Sequence, residues 1–229
     1  MFTFEKISHV VDLMCKKIRT QKNNKHSGEP HTEIALRKEL FSCIISSQIK
    51  FETAQLIMGN INYTGILEDK SWKIVSEEYF YNSALRTLKN SQCDLPNGVS
   101  HRFPKSTSNR MSKARNFLLQ IPLTEMLSMF SDTKILRRFL IENIAGIGPK
   151  QASMFIRNSC ICDDIAVLDT HTIKFINLSG IHNCNKITSL KQYEHVENSF
   201  CRYAADFGVT AGILDLAVWV TMKAAQEIS

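Results

Sequence analysis

The sequence predicts an all-α protein, on two observations. Nearly every apolar pattern repeats at intervals of three and four, the spacing that lines one face of a helix. No stretch shows a convincing strand pattern, and no internal repeat is present. At 229 residues, 44 % of them hydrophobic and 22 % charged, the chain suits a soluble globular protein of one large or two small domains.

The elements follow in order. Phe4, Ile7, Val10, Val11, Met14 and Ile18 predict a first helix over residues 4–19. A polar linker, TQKNNKHSGEPH, follows with Gly28 and Pro30 as breakers. Residues 32–49 read as one long, mostly buried helix, and residues 53–61 and 70–89 as two or three more. Residues 90–110, with Pro96, Gly98 and Pro104, read as loop. SKARNFLLQI and LTEMLSMF are two short helices separated by Pro122. Asp132 then caps TKILRRFLIENI. Ala152, Phe155 and Ile156 open the next apolar face, and an extended stretch precedes Asp169 and the helix THTIKFINL. Two helices close the chain, for about ten in all.

The charge is uneven. The formal net charge is +6 and the pI about 8.9, and two stretches, residues 16–25 and 101–115, each hold five Lys/Arg and no acid. Such stretches are either solvated basic loops or phosphate-binding surfaces, with Arg102 and Lys105 in the second. The seven cysteines show no C-x-x-C pair, so the expectation is reduced, mostly buried thiols in a cytosolic protein, with no metal site. No run approaches the length of a membrane helix, and acids and lysines interrupt the N-terminal pattern, unlike a signal peptide.

The segment IENIAGIGPKQA has the form of a helix-hairpin-helix. Gly146 and Gly148 are expected to reverse the chain, and Pro149 suits the first turn of the next helix. Free amides at such a helix start bind phosphate, so the hairpin is expected to grip a DNA backbone. Lys150 lies in that first turn, where the helix dipole disfavours a cation. The placement favours the neutral amine that attacks carbon. A phosphate-contacting or solvated lysine is the plainer alternative.

Asp169 lies nineteen residues further on, after IAVL and before a helix. An N-cap explains it, and a cap leaves a carboxylate ionised. The same carboxylate can stabilise an oxocarbenium-like charge while an amine attacks a sugar carbon.

GIGPKQA followed by VLDTH resembles the signature of the helix-hairpin-helix DNA glycosylases, the superfamily of endonuclease III and 8-oxoguanine glycosylase. The likeness is closest to the mostly archaeal class of 8-oxoguanine DNA glycosylase/lyases, supported by RF before SKARNFL and by ILDLAVW near the end. The resemblance implies that Lys150 is the nucleophile and Schiff-base former and Asp169 the catalytic carboxylate, facing each other in a cleft between lobes. It implies a phosphate contact for His171 and a hole-filling role for Gln48. It also implies a base pocket lined by Met154, Asp215 and Trp219. A polar helix end for Gln48 and a core aromatic for Trp219 are the plain alternatives.

The lobes would be residues 31–162, ending in the hairpin, and residues 1–30 with 163–229. The expected partner is double-stranded DNA with a flipped damaged base, engaged by a monomer, with no membrane. Endonuclease III relatives carry four clustered C-terminal cysteines; only Cys184 and Cys201 fall there, so no iron–sulfur cluster is expected. Archaeal-type enzymes end shortly after the tryptophan with a terminal lysine, whereas this chain continues as VTMKAAQEIS. The same chemistry on another modified base, and a DNA-binding hairpin protein without chemistry, are the two rival readings.

Overall fold

Side chains at helix starts set many of the element boundaries. In a computed structural model describing residues 3–24, 32–89, 99–184 and 186–227, twelve α-helices follow one another and no strand forms among the described residues. Gly28, Pro30, Cys93, Pro96, Gly98 and Ser229 lie outside those residues. The helices are α1 Phe4–Asn24, α2 Glu33–Ile45, α3 Phe51–Thr64, α4 Asp69–Trp72, α5 Glu77–Lys89 and α6 Pro104–Leu118. Then come α7 Leu123–Ser128, α8 Thr133–Asn143, α9 Pro149–Asn158, α10 Thr170–Leu178, α11 Leu190–Asp206 and α12 Ala211–Glu227. Thr32, Asp132, Asp169 and Ser189 cap α2, α8, α10 and α11 through their side chains.

Helix α1 runs on to Asn24, into the expected linker, and the bounds of α2 and α6 differ as well. Helix α2 stops at Ile45 instead of reaching Ile49, because Ser46 returns its hydroxyl to the Cys43 carbonyl and Gln48 takes a positive φ of 62°. Helix α6 starts at Pro104, inside the expected loop, since proline at the first helical position loses no hydrogen bond. Residues 70–89 divide into α4 and α5 at residues 73–76, so that with α3 they give three helices, within the two or three expected.

The chain forms two compact units, Pro30–Ser159 and Met1–Glu29 with Cys160–Ser229. In the first, Phe41, Trp72 and Phe80 meet edge to face at centroid distances of 5.9–6.1 Å. Arg115, expected on a basic loop surface, is instead buried beside them. Its guanidinium donates to the carbonyls of Trp72 and Val75, both at 2.7 Å from Nη2. Five positive charges in a row of sequence therefore do not make five surface charges. In the second unit, Ile7, Val11, Cys15 and Ile18 of α1 pack with Phe175 and Ile176 of α10, Phe200 of α11 and Leu214 and Val218 of α12.

The cysteines are more exposed than expected. Of the six described, Cys15, Cys43 and Cys184 are buried, whereas Cys160 is exposed and Cys162 and Cys201 are half-buried. Burial, reinforced by Asp12, pushes the Cys15 thiol up to about 11.

Candidate active site

The hairpin between α8 and α9 is anchored by its apolar residues. Ile144 and Ile147 are buried on either side of the turn, and the Ile147 amide donates to the Ile144 carbonyl at 3.2 Å. Gly146 has φ +93°, and a Cβ there would meet Arg110 Cβ and Cδ and Ile44 Cγ2, all at 3.2 Å. Only glycine fits that turn without strain. Gly148 differs from the expectation: its φ of −106° and ψ of −177° are ordinary extended backbone. Its role is to be the N-cap of α9 without supplying a side-chain acceptor.

Lys150 is half-buried in the first turn of α9 and has no hydrogen-bond or ion-pair partner among the described residues. Helix α9 is held at two points. Arg137 of α8, fully buried, donates to Ser153 Oγ at 3.2 Å. Asn158 donates to Glu39 of α2 at 2.7 Å. Glu39 also accepts from the Cys43 thiol at 3.5 Å. Burial and then Glu39 push the Cys43 thiol well up, against the opposing pull of the Lys150 and Arg157 cations. Cys43 therefore stays protonated, and Lys150 lies within electrostatic reach of α2. Met154, one turn after Lys150 on α9, is half-buried.

The turn after α2 carries Gln48, exposed and in the left-handed region. A non-glycine residue held there stores strain, a frequent mark of functional turns. The support below it is His101, which is buried. Its Nδ1 accepts from the Phe103 amide at 2.9 Å, so Nε2 carries the proton and donates to the Ile45 carbonyl at 3.0 Å. His101 thus ties the Gln48 turn to the start of α6, where Arg102 and Lys105 are exposed. The hairpin joins the same face of this unit through Gly146 against Ile44.

In the other unit Asp169 caps α10. Its Oδ1 accepts from the amides of His171 and Thr172 at 2.9 and 2.8 Å, while Oδ2 has no partner among the described residues. Asp169 and His171 are half-buried. Trp219 is half-buried rather than a full core aromatic, with Lys223 Nζ 5.1 Å from its ring centroid. Asp215 is placed differently from the base-lining position the resemblance implies. It is 1 % exposed, and its two oxygens accept from the Val167 amide and the Thr172 hydroxyl, both at 3.1 Å. Among the described residues no group of three His, Cys, Asp or Glu side chains could hold a metal ion.

Each unit thus presents one chemically useful group, a lysine with no partner among the described residues in one and a carboxylate with one bound and one open oxygen in the other. A profile of the Ogg-HhH family, described as 8-oxoguanine DNA glycosylase, matches residues 17–209. The chain belongs to this family. A relative from Thermoplasma acidophilum, named 8-oxoguanine DNA glycosylase/AP lyase, is 38 % identical over 52 % of this chain and 55 % of its own length. Against that relative the chain spans about half the length. A protein of the same name from Thermoplasma volcanium is 33 % identical over 81 % of this chain and 78 % of its own. Among solved structures, the 8-oxoguanine DNA glycosylase of Thermotoga maritima aligns with a TM-score of 0.68 at 25 % identity. It covers 93 % of this chain and 95 % of its own. The Methanocaldococcus jannaschii 8-oxoguanine glycosylase/lyase, solved with a 15mer DNA containing 8-oxoguanine, shares the fold. Its TM-score is 0.69 at 23 % identity over 94 % of both chains.

Several residues of this family member escaped the sequence reading. His101 sits in a stretch read for its positive charge, with no periodicity to mark it as buried. Tyr193 and Glu197 lie in an ordinary amphipathic helix, where a glutamate reads as solvated. Their signal was the four-residue spacing with Val196 and Phe200, which places Glu197 close to the apolar face.

Proposed function

We propose that this protein is a bifunctional DNA glycosylase/AP lyase that removes 8-oxoguanine from double-stranded DNA. The observation that carries the reading is Lys150, with no partner among the described residues, in the first turn of an uncapped hairpin helix. Its neutral amine attacks C1′ of the damaged nucleotide, and the N-glycosidic electron pair leaves with the base, which takes up a proton. Asp169, held by two amides, uses its open oxygen against the positive charge that develops on the sugar. Loss of the amine proton and ring opening give a Schiff base. Removal of a C2′ proton then expels the 3′ phosphate. The steps are redox-neutral and draw on no cofactor.

The remaining residues bind. The Gly148 amide and the first-turn amides of α9 beyond Pro149, presented by the Gly146 turn, take a backbone phosphate, and His171 a second. Arg102 and Lys105 contact the backbone, and Gln48 fills the space left by the extruded base. Met154 and Trp219 line the base pocket, and the protein acts as a monomer. A different target base is the second reading, favoured by the Lys223 ammonium over Trp219 and by α12 running on to Glu227.

Borohydride trapping tests the proposal. A duplex carrying 8-oxoguanine opposite cytosine and an abasic duplex are each incubated with the protein and with Lys150→Gln. A Lys150-dependent covalent band on both is expected. A band on the abasic duplex alone would move the target to another base. DNA binding without any band would leave a binding protein.

A further inference from the structure

Residues 166–168 lead into Asp169 outside any helix or strand, yet each of their amides is bound by a side chain. Glu197 Oε1 accepts from the Ala166 amide at 3.1 Å, Asp215 Oδ2 from Val167 at 3.1 Å and Tyr193 Oη from Leu168 at 3.0 Å. Tyr193 also donates to the Ala166 carbonyl at 2.8 Å. Glu197 and Tyr193, four apart on α11, take the amides of 166 and 168, and Asp215 on α12 takes the one between. All three side chains are at most 2 % exposed. The start of the segment is fixed too. The Gly212 amide donates to the Asp163 carbonyl at 2.7 Å, and a Cβ on Gly212 would meet that oxygen at 3.1 Å.

Asp215 reaches further than the others. Its second oxygen accepts from Thr172 Oγ1, and the Thr172 amide in turn donates to Asp169 Oδ1. One buried carboxylate therefore grips the chain two residues before Asp169 and three after it. Burying a carboxylate to bind main-chain groups is unfavourable unless its bonds are well made. What these bonds achieve is a single position for the Asp169 side chain.

We propose that Asp215, backed by Tyr193 and Glu197, is a positioning residue that holds Asp169 with its open oxygen free for the reaction, and does not contact the base. The inference rests on the catalytic reading of Asp169. The test is a double-mutant cycle on single-turnover release of 8-oxoguanine, using Asp215→Ala, Asp169→Asn and the pair. It is run beside affinity for a duplex with a tetrahydrofuran abasic analogue and amide exchange at His171 and Thr172. Asp215→Ala should slow release about 30-fold, leave affinity within about threefold, and cost nothing further in the Asp169→Asn background. Exchange at His171 and Thr172 should rise about tenfold or more. Asp215→Asn, which keeps an acceptor for Val167 and can donate to the Thr172 hydroxyl, should recover the rate to within about fivefold.

Additive effects in the cycle, a loss of affinity equal to the loss of rate, or a folded Asp215→Ala with unchanged rate would each overturn the proposal. Should Asp215→Ala fail to fold, Tyr193→Phe is put through the same cycle, with about a threefold effect expected; an additive or absent effect there overturns it equally. If the wild-type protein releases no base, the proposed function fails instead. Exchange at His171 and Thr172 then decides the positioning role by itself, and unchanged exchange in the folded variant refutes it.

Discussion

Helix α9 begins at Gly148, which has no side chain to offer its first-turn amides; α10 begins at Asp169, whose carboxylate takes two of them. Each start carries one proposed catalytic group, and the two are built in opposite ways. At α9 no side chain caps the amides, and a lysine with no partner among the described residues follows. At α10 the amides orient a carboxylate and leave one of its oxygens open. In the proposed reading the same helix-end electrostatics serve an anion from outside in one place, whereas an anion of the chain occupies the other. The supports differ as well. A hairpin pinned by Gly146 and buried isoleucines holds α9, whereas buried acids and a tyrosine hold the approach to α10.

The largest test of this contrast is Lys150→Gln. Covalent capture should vanish and base release fall at least about a thousandfold, about 4 kcal/mol of barrier, in single-turnover assays. Wild-type rates in that variant would reduce Lys150 to a phosphate contact. Asp169→Asn separates capping from chemistry. Asparagine caps as well as aspartate, so denaturant unfolding should shift by less than about 1 kcal/mol while release falls about a hundredfold. A large stability loss with intact activity would make Asp169 a cap and nothing more.

Gly146→Ala attacks the turn itself. The positive φ and the three 3.2 Å approaches should destabilise the protein by about 1–3 kcal/mol, read from the urea midpoint. Gly148→Ser supplies α9 with the cap it lacks. Stability should rise by about 0.5 kcal/mol while affinity for duplex DNA falls, measured by fluorescence anisotropy. Unchanged affinity would mean those amides bind no phosphate.

The smallest effect concerns pH. Burial lowers the pKa of His101 from its ordinary 6.5, opposed by its bond to the Ile45 carbonyl and aided by the Arg110 cation. The native ring is neutral where the unfolded one takes up a proton. Its contribution is therefore complete above pH 6.5 and is lost as pH falls below that value through the native pKa. His101→Gln should flatten the stability–pH curve in that range, as followed by urea titrations at several pH values.

Much of this was legible in the chain. Three-and-four periodicity announced the helices, and Asp132 and Asp169 marked two helix starts, because periodicity and caps are local effects that neighbours in sequence settle. Gly146, Pro149 and Lys150 declared the hairpin for the same reason. The end of α2 was not legible: Ser46 and Gln48 are compatible with continuing the helix, and His101, 56 residues from Ile45, binds the last carbonyl. Arg115 read as a surface charge until the carbonyls of Trp72 and Val75 claimed it.

The sequence by itself determined the helical class and the hairpin, and it singled out Lys150 and Asp169 as the proposed pair, since each follows from residue type and short spacing. Only the tertiary structure decided that Gly146 and not Gly148 needs glycine, that Lys150 meets no partner among the described residues, and that Asp215 binds the Val167 amide and the Thr172 hydroxyl on either side of Asp169. Those outcomes depend on which distant groups arrive at hydrogen-bonding distance. A carboxylate reads the same in sequence whether it meets water, a base or the amide of Val167.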